Sequence, residues 1–261
     1  DKLSGSLLKN SQSVISPGIG MHKKINDKLG LLAGVYRGFS PSGPGKSGAD
    51  SEESVNLEYG LRYTSDNLSG ELIVFESNYD NLLGRCRASD SNCQVGQEFS
   101  GGNVEVSGVE VTGQGKYELT NALVFSSQFN YTYSKSTFKS SFFSQFSQWG
   151  LVTEGDEVPY IPTHVGRWQI GLESDRWALD LALKYQHRMR ERPGGGDVKS
   201  DLHTDDLTTV DVTGTWFVHE SFDVRLSIRN LTDESVIVSH RPYGARPNLP
   251  RQVLAQVKYR F

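Results

Sequence analysis

The side chains best suited to bind something are arginines. Arg188, Arg190 and Arg192 alternate along one short stretch that runs into Gly194-Gly195-Gly196, and Arg241 and Arg246 lie in a later polar segment. A guanidinium offers a rigid fork of donors that fits carboxylate or other oxyanion groups two bonds at a time, so this grouping points to anion recognition. The bland counterpart is pairing with loop carboxylates such as Glu191 and Asp197. Cys86 and Cys93, with six residues between them in a Ser- and Gly-rich stretch, favour a disulfide. A clip of that length stabilises by roughly 2 to 3 kcal/mol in the loop-entropy picture. A metal centre would need further ligands, and no histidine near the pair supplies them. His22, His164, His187, His203, His219 and His240 are scattered, without the i, i+4 spacing of a helical zinc motif. No G-x-S-x-G arrangement singles out a nucleophile, so the chain reads as non-enzymatic, with a membrane hydrolase as the weakest alternative.

These groups need a scaffold, and composition bounds it. The chain has 261 residues, 36% of them apolar and 22% charged, with a formal net charge of −4. That composition belongs to an ordered protein, and the negative charge argues against nucleic acid as a partner. No run approaches the roughly 18 apolar residues of a spanning helix. A membrane strand needs only about 10 residues, half of them polar, so a barrel stays open. The first residue is Asp1, and no charged-then-apolar leader precedes the patterned region, so the chain reads as a piece of something longer.

The periodicity is that of strands throughout. In the last thirteen residues Val253, Ala255, Val257, Tyr259 and Phe261 fall on one side and Gln252, Leu254, Gln256, Lys258 and Arg260 on the other. The same period-two pattern recurs in Leu29 to Phe39, Val55 to Thr64, Leu123 to Tyr133, Arg167 to Glu173, Trp177 to Gln186, Thr209 to Trp216 and Phe222 to Arg229. Leu68 to Leu83 is less regular, because Leu72, Ile73, Val74 and Phe75 are consecutive. Val104 and Val106, then Val109 and Val111, change parity at Gly108, which a bulge would explain. A turn is expected near Tyr117 to Thr120. Some eleven strands result, and their connections alternate: about three residues, then a dozen or more. A sandwich mixes long and short connections, whereas an outer-membrane barrel puts every tight turn at one end and every long loop at the other. Trp177, Trp216, Phe222, Tyr259 and Phe261 all lie on the apolar side near a short turn, where an interfacial aromatic girdle belongs.

Several stretches carry a family resemblance. They are Gly34-Val35-Tyr36-Arg37-Gly38-Phe39-Ser40-Pro41, Glu53-Ser54-Val55-Asn56-Leu57-Glu58-Tyr59-Gly60, Tyr79-Asp80-Asn81-Leu82-Leu83-Gly84, Asn230-Leu231-Thr232-Asp233, Arg241-Pro242, Arg246-Pro247 and Tyr259-Arg260-Phe261. Together they make the chain resemble the carboxy-terminal half of a TonB-dependent outer-membrane receptor, most like the ferric dicitrate or siderophore type. That resemblance implies an antiparallel transmembrane β-barrel of 22 strands, filled by an amino-terminal plug, in the outer membrane of a Gram-negative bacterium. Residues 1 to 261 would supply about 11 strands, without the plug and hence without direct coupling to the TonB complex. Eleven is an odd count that a bacterial single-chain barrel does not normally use. The implied function is uptake of ferric iron as a chelate, citrate or another siderophore, with the iron as cargo and no resident cofactor or metal. Arg188, Arg190, Arg241 and Arg246 would then contact the anionic carrier, or else phosphates of the surrounding lipopolysaccharide and lipid. Val257, Tyr259 and Phe261 resemble the terminal signal read by the barrel-assembly machinery. A passive, porin-like or structural barrel is the rival reading.

Overall fold

A computed structural model describes residues 13–41, 51–85, 95–96, 98–144, 149–198, 202–241 and 244–261. Eleven long strands form one antiparallel sheet: β1 (Gly18–Lys24), β2 (Leu29–Ser40), β3 (Glu52–Thr64), β4 (Leu68–Asp80), β7 (Val104–Thr120), β8 (Leu123–Phe138), β11 (His164–Ser174), β12 (Trp177–Gln186), β13 (Leu207–His219), β14 (Phe222–Arg229) and β17 (Gln252–Tyr259). Each pairs with its neighbours in chain order, so β1 and β17 are the two edges. Three small two-stranded ribbons sit in the long connections: β5 (Leu83–Arg85) with β6 (Glu98–Ser100), β9 (Phe142–Phe143) with β10 (Leu151–Val152), and β15 (Ile237–Ser239) with β16 (Arg246–Pro247).

Tight turns close one end of the sheet. Between β1 and β2 the Asn26 side-chain oxygen accepts from the Lys28 and Leu29 amides, each at 2.9 Å. Ser65 serves the β3–β4 turn in the same way, its hydroxyl oxygen accepting from the Leu68 amide at 3.3 Å while its own amide donates to the Leu68 carbonyl at 2.8 Å. Asn121 and Ala122 alone join β7 to β8. β7 therefore runs on through Tyr117 to Thr120, where a turn was expected, and absorbs the mismatch as a register shift between Glu118 and Thr120. A second shift, between Phe217 and His219, tightens the β13–β14 hairpin.

Directly paired residues share a face, so the register sorts side chains without ambiguity. On one face Trp177 stands opposite Trp216 and Phe222 opposite Tyr259. The same face carries Leu57, Leu61, Leu72, Phe129, Trp168, Leu181 and Val257, every one of them exposed in the isolated chain. Large apolar side chains left in the open over a whole sheet are the reverse of a water-soluble protein, where such patches stay small.

The other face is polar and holds Glu58, Arg62, Gln128, Arg167, Lys184, Asp211 and Arg225. At Gly108 the structure corrects the expectation of a bulge: β7 keeps unbroken register with β4 from Tyr79–Val104 to Leu68–Gly115. Val104 and Val106 change side because they serve a different apolar contact. Val104, Phe138, Val152 and Val158 are fully buried together at the long-loop end, flanked by Tyr79, Leu82, Phe142, Trp149 and Ile161. Phe138 meets Phe142 and Trp149 edge-on, with centroids 5.7 and 5.6 Å away. The irregular run in β4 has a related cause: Ile73 and Phe75 point to the polar face over Gly60 and Gly108. A Cβ at Gly60 would lie 2.1 Å from the Leu72 carbonyl oxygen, and one at Gly108 2.0 Å from that of Tyr133.

Candidate functional site

The long connections lace together. From the segment after β8, the Glu157 amide donates to the Gly194 carbonyl at 2.9 Å and the Tyr160 amide to the Arg190 carbonyl at 3.0 Å. Asp205 exchanges two bonds with Ile237: its amide donates to the Ile237 carbonyl at 2.8 Å and its carboxylate accepts the Ile237 amide at 2.8 Å. Residues 153–163, 187–198, 202–206, 230–241 and 244–251 thus form one rim over the ends of β8 and β11 to β17.

Glu191 is the hub of this rim and is 7% exposed. Its carboxylate accepts from the Tyr160 hydroxyl at 3.0 Å, from the His240 amide at 3.0 Å and sits 2.9 Å from His240 Nδ1. Its carbonyl accepts from the Arg241 guanidinium at 2.9 Å, and that guanidinium lies 5.4 Å from the centre of the Tyr160 ring. Burial pushes the Tyr160 hydroxyl pKa up, with the Glu191 bond acting in the same direction. Arg190 is equally committed: its Nε donates to Glu157 at 2.8 Å and its Nη2 to the Gly196 carbonyl at 2.8 Å. Arg188 and Arg246 are exposed. The Arg188 amide donates to Asp206, which also lies 2.9 Å from His187 Nδ1. Burial alone would raise the Asp206 pKa, but the Arg188 amide, His187 and the Tyr185 hydroxyl together hold it below the usual carboxylate range.

The four arginines singled out in the sequence therefore meet in one laced region, with Arg190 serving as an internal strut. Glu191 was expected only as a partner for the loop arginines; its bonds to Tyr160 and His240, 31 and 49 residues away, had no local pattern to reveal them. The Asn230-Leu231-Thr232-Asp233 motif also gains a reason. Asn230, at φ 51°, donates to the Glu234 and Leu249 carbonyls at 2.8 and 3.0 Å and accepts the Glu234 amide at 2.9 Å. Asp233 binds the Arg251 guanidinium at 2.7 Å, and that bond, with a second from the Arg251 amide, lowers its pKa. The motif thus pins both ends of the last long connection to each other. Cys86 and Cys93, with their expected disulfide, lie outside the described residues.

Comparison with known proteins agrees with this architecture. Residues 3–231 match the family described as TonB dependent receptor-like, beta-barrel. The chain belongs to that family, whose members are outer-membrane transporters of Gram-negative bacteria rather than enzymes. Among solved structures it is similar to the ferric citrate transporter FecA in its unliganded form (TM-score 0.72, 15% identity, 94% of this chain and 38% of that one). It is also similar to the ferric yersiniabactin uptake receptor FyuA from Yersinia pestis (0.69, 17%, 94% and 37%) and to the copper transporter OprC (0.66, 15%, 94% and 39%). At such identities the likeness is one of fold, and the chain spans less than two fifths of each of these proteins. No curated protein matches. The eleven strands are thus part of a TonB-dependent receptor barrel, and the apolar and polar faces are those such a barrel turns to lipid and to its lumen.

Proposed function

We propose that the chain forms the carboxy-terminal half of an outer-membrane receptor barrel that takes up ferric iron as an anionic chelate, ferric citrate or another siderophore. The observation that carries this reading is the laced outer rim, in which Arg241 binds the buried Glu191 hub, the Arg188 amide is held by Asp206 and Arg246 pairs with Ser239. A guanidinium presented by a braced loop loses little conformational freedom on binding a carboxylate-rich chelate. Arg190 contributes by holding residues 187–198 against Glu157. Ferric iron enters as cargo, and energy comes from the TonB complex through a plug carried elsewhere in the polypeptide. Lipid and lipopolysaccharide contact the apolar face and its outer margin, and Val257, Tyr259 and Phe261 are offered to the barrel-assembly machinery.

The test is radiolabelled iron uptake by cells whose only ferric citrate receptor is the full-length parent, with and without TonB, using ferric citrate and a ferric hydroxamate. TonB-dependent uptake of the citrate complex is expected. Arg188→Ala, Arg241→Ala and Arg246→Ala should each weaken surface binding by about 10- to 100-fold, the equivalent of one charged hydrogen bond. Citrate uptake indifferent to all three changes would remove the site while leaving the transporter. Absence of TonB-dependent uptake of any ferric chelate would remove the function.

A further inference from the structure

We infer that the luminal wall of β11 to β14 carries a cationic belt that holds the anionic chelate part-way along the barrel. The inference rests on the transport reading above. Arg167 on β11 pairs in register with Lys184 on β12. Arg229 on β14 lies beside Asp211 on β13, between Ile228, which pairs with Val212, and Asn230, whose amide donates to the Asp211 carboxylate. Arg167 and Lys184 stand directly opposite each other, and Arg229, level in register with Asp211 and Ala182, lies two residues nearer the tight turns, so the three cations fall in one band across the wall. All three are exposed, on the polar face. Arg167 and Arg229 make no ion pair among the described residues, whereas Lys184 donates to Asp211 at 3.0 Å. That carboxylate also accepts the Asn230 amide at 2.9 Å; Arg167, Lys184 and Arg229 against Asp211 leave two positive units in the band, with Asp180 on the same face nearer the turns.

The neighbouring arc of the same sheet, beyond β8, has the opposite sign. Glu58, Glu71 and Glu110 project from the luminal faces of β3, β4 and β7, with Arg62 bound to Glu71 at 2.7 Å and Glu58 accepting only the neutral Tyr36 hydroxyl at 2.6 Å among the described bonds. A multivalent anion entering this lumen is pushed from one arc and drawn to the other. Low-dielectric walls strengthen that preference, and three strand steps, about 14 Å, set the breadth over which the charge is spread. The belt also continues the rim. The His187 amide still donates to the His164 carbonyl at 2.8 Å, which carries the strand path of β12 one residue further. Arg188 thus follows Lys184 and Gln186 in parity, giving the anion a cation at the mouth and three below it. Binding at such a relay must be weak enough to release, so its removal slows passage without changing capture.

The experiment uses the full-length receptor with Arg167→Gln/Arg229→Gln and Arg167→Glu/Arg229→Glu, and Arg167→Lys/Arg229→Lys as the conservative control. Outer-membrane abundance and heat-modifiable mobility establish folding. Surface binding and uptake are then measured for ferric citrate and for a cationic ferric hydroxamate. Expected are unchanged surface affinity, citrate uptake lowered about 3- to 10-fold by the glutamines and further by the glutamates, near-normal uptake with lysines, and hydroxamate uptake unaffected. Equal loss for both chelates, or no loss after charge reversal, would overturn the belt. So would entry of a large antibiotic into cells carrying the glutamate variant without any chelate, because the belt would then be holding the plug. If the unaltered receptor takes up no chelate, the transport reading fails and the belt falls with it. Uptake by the unaltered receptor with no effect of the variants removes the belt alone.

Discussion

At the scale of single residues, Glu191 matters more than the arginines that first draw the eye. Glu191→Ala leaves the Tyr160 hydroxyl and the His240 amide without their acceptor, a loss of about 1 to 3 kcal/mol from the rim. Protease treatment of intact cells should then cut within residues 230–251, while heat-modifiable mobility of the barrel stays as it was. Unchanged protection would mean that Glu191 is not the hub. Asp206 adds a pH dependence of known sign. Its folded pKa is depressed, so its contribution is present above the unfolded value of about 3.9 and is lost as pH falls through the lower folded value. Hydrogen exchange at the Arg188 amide should stay slow through pH 4 and quicken only below it, whereas Asp206→Asn should be fast at every pH. The sequence showed the arginines because clustering is local. It hid their division of labour, since Arg190 is a strut only by virtue of Glu157, 33 residues away.

At the scale of elements, alternation and turn chemistry made most of the sheet legible. Asn26 and Ser65 are side chains that bond their own turns. What misled was a valine pattern serving two environments: Val109 and Val111 face lipid, and Val104 and Val106 face a small core built from distant loops. The threading predicts labelling. In a background with Cys86 and Cys93 replaced by serine, cysteines at Glu154 and Gly195 should react with an impermeant reagent on whole cells, and cysteines at Asp27, Asp66, Asp175 and Glu220 should not. Reaction of both sets would refute this orientation. Gly108→Val places side-chain atoms where the Tyr133 carbonyl and the Phe75 ring already lie, so a sharp fall in the heat-modifiable, folded fraction is expected. Phe261 is wholly exposed, with its ring 5.7 Å from that of Tyr259. Its deletion from the full-length receptor should lower the amount inserted in cells yet barely change the melting of what is inserted. Normal insertion would end its role as an assembly signal.

For the whole molecule, the decisive property is that its apolar surface faces outward and its charges inward, an order that mean hydropathy hides because alternate residues cancel. The tight turns hold the inner end in register, and the only sizeable buried apolar cluster among the described residues braces the loops at the other end. The molecule is therefore braced at its long-loop end and turns its apolar side chains to lipid along its middle.

The two sheet edges have one more consequence. β1 leads into a tight turn and β17 ends beside one, so both edge strands travel in the same direction across the membrane. Bringing β17 round to β1 would make a parallel seam, and a second copy set beside the first would make two. In an antiparallel barrel the strands lying against these edges must both travel outward, and any set of strands that begins and ends outward has an odd number of members. Closure is thus a matter of parity as well as length. A complement of ten or twelve strands leaves one row of backbone groups without antiparallel partners in hydrocarbon, at several kcal/mol for each unsatisfied group, whereas nine, eleven or thirteen can close the ring.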